Sequence, residues 1–301
     1  MNKLYPFRRY ANNPILSSDD VPYPCNTVFN AAACKFKNEY LLLLRIEGLE
    51  GYSHLTLARS TDGYRFAVDP QPWVLPSDDP YYEIYERFGV EDPRITRIED
   101  THYIAYTAYG PFGPRVGIGA TRDFTAFERI SLATETNNKD AVLFPEKIKG
   151  DYVMIDRPDG VGAIWITYSR DLIHWGRARV VLTPEPGWGP SKLGICTPPL
   201  KTDRGWLVFY HGVRLTASGR LYRIGAMLLD LNDPSKIVGR VPHFIFGPEE
   251  PYERTGDVPN VVFPCGIIKE PDESLKLYYG AADTCIAVAE AAIGDILKLF
   301  T

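Results

Sequence analysis

The sequence predicts an all-β protein, a five-bladed β-propeller occupying residues 1–301 as one domain, and three observations carry that prediction. First, 19 tyrosines, 25 prolines and 25 glycines in 301 residues favour short strands joined by tight turns over long helices. Second, one pattern recurs in five places: a polar turn, four or five apolar residues, and a polar or glycine-bearing exit. Third, each copy is flanked by further strand-like pieces, so the repeating unit is a sheet.

The pattern reads NEYLLLLRIEG at 38–48, THYIAYTAYG at 101–110, GDYVMIDRPDG at 150–160, RGWLVFYHGV at 204–213 and ESLKLYYGAAD at 273–283. Before these stand NTVFNAAACKF, GVEDPRITRI, KDAVLFPEKI, ICTPPLKT and VVFPCGIIK. After them come LTLARSTDG, VGIGATRDF, AIWITYSRDL, RIGAMLLDL and CIAVAEA. In the first three of this last set a Ser or Thr sits two residues before an Asp: Ser60 and Asp62, Thr121 and Asp123, Ser169 and Asp171. That arrangement suits a hairpin corner. Units of three or four strands, repeating every 50 to 70 residues, cannot bury both faces alone and must pack on one another. Radial packing yields a propeller with a central depression, and a β-sandwich would not need the repetition. Residues 75–89 and 240–260 read as loops over one end, and Trp73, Trp165, Trp175 and Trp206 as fillers between blades.

Composition excludes several classes. A formal charge of −5 supplies no global positive field for nucleic acid, while leaving room for a local basic pocket. No run approaches the roughly 18 apolar residues of a membrane span, and the N-terminus lacks a leader-like apolar stretch. Five cysteines, odd in number and without C-x-x-C spacing, argue against a zinc site or a disulfide framework. The expected compartment is the reducing cytoplasm. The histidines His54, His102, His174 and His243 form no pair at metal-binding spacing, so neither a metal nor an organic cofactor is expected.

In a propeller, the innermost strands and the loops leading into them face one mouth. The first strand of each unit carries polar groups there: Asn30, then Glu91 and Asp92, then Lys139 and Asp140, then Thr197, with Asp257 preceding the fifth. Strand exits add Arg45, Arg157, His211 and Asp283, and the segments GPSKLGICT and GRLYRIGA add Lys192 and Tyr222. Singly, such residues serve as often in a solvated hairpin as in a site. Together they make one wall of the predicted cavity acidic and the other basic. Glycoside hydrolysis calls for two carboxylates, an acid and a base or nucleophile. Asn30 stands where the second is expected, and an amide cannot deprotonate water. Opposite it, Lys139, Arg157, Lys192, His211 and Tyr222 are donors suited to an oxyanion. Inorganic phosphate is already ionised and needs no base, and cations would hold it. One acid facing a phosphate cradle describes a phosphorylase. The alternatives are a hydrolase using Asp140 or Asp283 as base, and a non-catalytic carbohydrate-binding propeller. Tyr81, Tyr82, Tyr85, Trp188 and Tyr252 are candidates to stack on the leaving sugar, against ordinary loop packing.

The segments RYANNPIL, VPYPCNTVFNAA, GVEDPRI, NNKDAVLFPEKI, DRPDG, GPSKLG, FYHGV, YRIGAMLLDL and YYGAADTCIAVA together resemble the β-mannoside phosphorylases of glycoside hydrolase family 130, over nearly the whole chain. The resemblance implies a five-bladed propeller and inverting phosphorolysis of β-mannosides to α-mannose 1-phosphate. It implies that Asp92 is the sole protein acid, relaying its proton through the 3-hydroxyl of the bound mannose; since that acid must arrive protonated, burial is expected to raise its pKa. Phosphate would be held at Lys139, Arg157, Lys192, His211 and Tyr222, and sugar at Asn30, Arg45, Arg59 and Asp283, with Glu91 orienting a neighbour. The implied partners are an oligosaccharide and phosphate, with room for self-association into a homo-oligomer. Two departures stand out. Lys139 occupies a position where some relatives carry Arg, and VFNAAA replaces a commoner Pro-Gly version.

Overall fold

The computed structural model describes residues 5–158, 160 and 162–300. Among these residues the strands form four sheets, and the eight-stranded one divides at a single parallel bridge, Ser53 to Gly89, into two antiparallel meanders. The first meander runs through Thr27–Phe36, Glu39–Glu47 and Ser53–Ser60, with Ala67–Val68 at its edge. The second comprises Gly89–Ile98, Thr101–Gly110, Gly113–Thr121 and Glu128–Leu132. The third comprises Asn138–Leu143, Tyr152–Pro158, Ile164–Ser169 and Trp175–Leu182. The fourth is Lys192–Ile195, Gly205–Thr216, Gly219–Leu229 and Ile237–Arg240, with Leu200–Thr202 also paired to its second strand. The fifth, Val262–Lys269, Ser274–Ala281 and Cys285–Ala292, takes its outer strand from the N-terminus, Arg8–Arg9.

Strand alternation explains how a meander serves two neighbours at once. Leu41 and Leu43 face the second meander, packing with Val90, Ile104 and Tyr106. Leu42 and Leu44 face the other way, against Tyr278 and Val288 of the fifth. Met154 meets Val116 of the second meander, whereas Ile155 meets Trp206 and Val208 of the fourth. Phe209 and Ile224 of the fourth then meet Leu277 and Tyr279 of the fifth. The packing order is therefore cyclic. Each wholly buried leucine contributes about 1.5–3 kcal/mol.

The Ser/Thr-x-Asp corners form as their spacing predicts. Ser60, Thr121 and Ser169 accept the amides of Gly63, Phe124 and Leu172, each at 2.9 Å, and those three residues have positive φ. The two segments read as loops contain short helices instead. Asp79 caps Tyr81 at 2.8 Å and Pro80 opens the helix Pro80–Glu86. Pro251 opens Pro251–Arg254, whose Glu253 is fully buried. That carboxylate receives Arg9 Nε at 2.7 Å and Nη2 at 2.8 Å, together with the Tyr279 hydroxyl at 2.8 Å. A buried charge needs such partners, and here they fasten the first strand of the chain to its last meander. Among the described residues no helix is long and apolar enough to cross a membrane, and all five cysteines are free thiols.

Candidate active site

The inner strands share one irregularity, and it builds the site. Pairing shifts register between Phe29 and Ala32, between Glu91 and Arg94, and between Lys139 and Val142. Within these bulges Asn30, Asp92 and Asp140 adopt φ of 51°, 47° and 55°. A bulge adds a residue and re-aims a side chain, and Asn and Asp tolerate left-handed backbone better than most. Three consecutive inner strands thus turn a short polar group toward the common centre.

A cavity of about 100 Å³ opens there, lined by Asn30, Arg45, Asp92, Lys139, Asp140, Arg157, Lys192, His211, Tyr222 and Asp283, with Val258, Val261 and Phe263. A roomier groove of about 1160 Å³ lies elsewhere, beside Tyr40, Lys276 and Glu290, but its lysine is already paired with Glu290. The hub cavity brings Asp92, Asp140 and Asp283 together with Lys139, Arg157 and Lys192.

On the acidic wall, Oδ1 of Asp92 accepts Asn30 Nδ2 at 2.8 Å and Arg45 Nη1 at 2.9 Å. Arg45 also donates Nη2 to Glu91 and Nε to the Ser53 hydroxyl, both at 2.9 Å, and lies 4.4 Å over the Phe29 ring. Gly280 makes this possible, because a Cβ there would fall 2.1 Å from Asn30 Oδ1. Burial works to raise the Asp92 carboxyl, but Arg45, Arg94 and Lys139 together outweigh it and hold its pKa below the usual Asp value. The expectation of a raised pKa is corrected on this point: the surrounding cations win over desolvation. Glu91 moves up instead, through burial and then the neighbouring Asp92 charge against the pull of Arg45. Asp283 is pushed up to about 7 by burial first and Asp92 second.

On the basic wall, Arg157 Nε donates to Asp140 Oδ2 at 2.8 Å, and both side chains are 1% exposed. His211 Nε2 stands 3.7 Å from the same oxygen. Gly194 leaves room for that approach, since a Cβ would come within 2.4 Å of both Asp140 and His211. Burial opposes ionisation of Asp140, yet Arg157, His211 and Arg94 hold its pKa far below the carboxylate range. Burial, then Arg157 and Lys192, lowers His211 to about 3 despite Asp140, so it enters as a neutral N–H donor and not as a cation. Lys192 falls to about 8, through burial and the adjacent Arg157 and Lys139. Tyr222 is pushed up to about 12 by burial and by Asp140, and keeps its proton.

The structure thus brings the predicted site residues together, with the exception of Glu91, Arg59, Thr197 and Asp257. Glu91 stands behind Arg45 and outside the cavity lining. Arg59 does not line the cavity: it pairs with Asp69 at 2.5 Å on the third strand of its meander. That strand starts at Ser53 beside the mouth and runs away from it, and six residues of strand span about 20 Å. Thr197 is wholly buried and Asp257 is exposed, and neither lines the cavity. Asp159 of the DRPDG motif lies outside the described residues. Among the predicted aromatics, Tyr82 and Tyr85 pack on the first–second core, Tyr252 on the fourth–fifth core, and Trp188 against Tyr210. Trp206 does fill an interface, 5.2 Å from Phe144. Sequence reasoning passed over Phe263, whose ring lies 4.8 Å from that of His211, and left Arg94 open between a strand-end salt bridge and a site contact; Arg94 underpins the hub. Arg94 donates to the carbonyls of Asp92, Cys196 and Ile195 at 2.9, 3.2 and 3.3 Å and lies 3.6 Å from Asp140. Their signal was position, since both lie on inner strands. Among the described residues no cluster of three His, Cys, Asp or Glu side chains could hold a metal ion.

The chain matches glycoside hydrolase family 130, described as β-1,4-mannooligosaccharide phosphorylase, over residues 8–301, and it belongs to that family. A β-1,4-mannooligosaccharide phosphorylase of Ruminococcus albus is 34% identical over 300 residues, covering 96% of this chain and 89% of the relative. The structure of the β-1,2-mannobiose phosphorylase of Listeria innocua with β-1,2-mannobiose has a TM-score of 0.89 at 32% identity, covering 100% of this chain and 99% of that one. A further structure, from the part of the family described as glycoside hydrolases that target β-1,2-mannosidic linkages in Candida mannan, has a TM-score of 0.87 at 25% identity over 95% and 93% of the two chains.

Proposed function

We propose that this chain is a single five-bladed propeller that carries out inverting phosphorolysis of β-linked mannosides and releases α-mannose 1-phosphate. The observation that carries the reading is the asymmetry of the hub. Among the described residues Asp92 presents one oxygen that accepts no hydrogen bond, while the wall across from it offers Lys139, Arg157 and Lys192 as cations with His211 and Tyr222 as neutral donors. No proton acceptor is needed on that wall, because phosphate arrives ionised.

In this reading the mannose ring lies between the walls. A phosphate oxygen attacks the anomeric carbon as the bond to the leaving oxygen breaks on the opposite face, and Asp92 supplies the proton that oxygen takes up. Attack by hydrogen phosphate leaves a monoester that sheds one proton, and this proton restores Asp92. Phosphate also adjusts the acid. Its negative charge beside Lys139 offsets one of the cations that keep Asp92 ionised, so binding raises the pKa toward the protonated form the step requires. Glu91 fixes Arg45, and Arg45 with Asn30 fixes Asp92.

Hydrolysis on the same scaffold is the second reading, favoured by the hydrolase relatives and by Asp283, whose pKa near 7 is that of a workable base. Asp140 is unsuited to that part, being committed to Arg157 and strongly acidic. Relatives act on both β-1,4 and β-1,2 linkages, so the assay takes a panel of both. Incubated with and without inorganic phosphate and followed by phosphorus NMR, the protein is expected to form α-mannose 1-phosphate only when phosphate is present. Free mannose released at the same rate without phosphate overturns the reading in favour of hydrolysis. The free thiols accord with a reducing compartment, and we assign the protein to the cytoplasm.

A further inference from the structure

The hub cavity, at about 100 Å³, is well below the ~300–1,000 Å³ of a site that engulfs a drug-sized ligand. It accommodates the ring being transferred, and the rest of an oligosaccharide must leave across the rim. In-line displacement fixes which rim. The cradle Lys139, Arg157 and Lys192 belongs to the third and fourth meanders, so the leaving oxygen departs on the opposite side, over the first and second.

That side carries an aromatic string. Tyr52 stacks on Phe88, with ring centroids 5.7 Å apart and planes at 24°, and Phe88 meets Tyr109 edge-on at 5.8 Å. The string is built on the elements that carry the acid. Gly89 pairs with Ser53 on one side and with Tyr109 on the other, and Ser53 anchors Arg45, the residue that holds Asp92. Sealing the seam between two meanders would bury these rings. Instead Tyr52 is 48% and Tyr109 39% exposed, with ring surface left in water.

We propose that Tyr52, Phe88 and Tyr109 form a stacking platform for the leaving saccharide of an oligomannoside. This rests on the phosphorolysis reading for its direction of exit. The occupant is set by chemistry: a pyranose presents a C–H-rich face to an aromatic ring and hydroxyls to solvent at its edges, which matches a half-exposed string beside a polar cavity.

The test compares wild type with Tyr52→Ala, Tyr109→Ala and the double variant, all at exposed positions. Phosphorolysis of a mannobiose and a mannotriose of the preferred linkage is followed at saturating phosphate, and mannotriose binding is measured by calorimetry on the same proteins. The double variant is expected to raise the mannotriose KM and the calorimetric Kd on the order of tenfold. Mannobiose should be affected less, and kcat and the phosphate KM should stay within about twofold. Unchanged saccharide KM and Kd overturn the proposal, and do so in favour of a contact between copies of the chain if sedimentation shows weakened self-association. Phosphate-independent cleavage by the wild type would defeat the phosphorolysis reading, while the calorimetric comparison would still read the platform.

Discussion

Asp92 and Asp140 sit in corresponding bulges of neighbouring inner strands, with φ of 47° and 55°, and both are buried at the hub. Their surroundings set them to different tasks. Asp140 meets Arg157 through its own meander, with His211 and Arg94 beyond, so its charge is spent inside the protein. Among the described residues Asp92 is held on one oxygen, by Asn30 and Arg45 of the neighbouring meander. In the proposed mechanism one carboxylate stabilises the cations of the cradle, and the other keeps an oxygen for substrate. Backbone geometry alone does not make a catalytic acid. The partners reaching it from the adjoining strands do.

Substitution separates the two. Asp92→Asn retains the acceptor for Asn30 and Arg45 but has no proton to give, so kcat/KM on a mannobiose should fall by at least about 10²–10⁴-fold with the unfolding midpoint nearly unchanged. Asp140→Asn should do the reverse: it leaves Arg157 and Arg94 under-compensated in a dry environment, costing about 3–5 kcal/mol in urea unfolding and weakening phosphate binding as the cradle shifts. If both variants lose activity and stability alike, the division of labour is wrong. A smaller effect sharpens the basic side. Lys192, with a pKa of about 8, is charged below that pH and loses its proton above it, so kcat/KM for phosphate should decline as pH rises through about 8. Lys192→Met should bind phosphate weakly and lack that limb. Smallest of all, Arg59→Ala, remote from the mouth and bound to Asp69 at a half-exposed position, should change turnover by less than about twofold.

The repeat was legible because period-two alternation and turn residues are local, and it placed the inner strands and the Ser/Thr-x-Asp corners. The hub was legible for a related reason: if inner strands are equivalent, residues at equivalent offsets, Asn30, Asp92 and Asp140, must converge. What escaped was non-local or energetic. Nothing near Arg8–Arg9 announces pairing with a strand some 280 residues away, nor that Arg9 will meet Glu253. Arg59 was named through the family resemblance alone, and the strand that carries it runs away from the mouth to a pairing with Asp69. The ionisation of Asp92 was misjudged because burial could be foreseen, whereas the meeting of Arg45, Arg94 and Lys139 around it could not.

The proposed mechanism requires Asp92 to act as an acid toward the leaving oxygen while the cradle holds phosphate. Turnover of Asp92→Asn on β-mannosyl fluoride, whose leaving group needs no proton, measures this directly in the presence of phosphate. The variant is expected to form mannose 1-phosphate from the fluoride at a rate within about tenfold of wild type while remaining inert on mannobiose. Equal loss on both substrates would contradict the assignment.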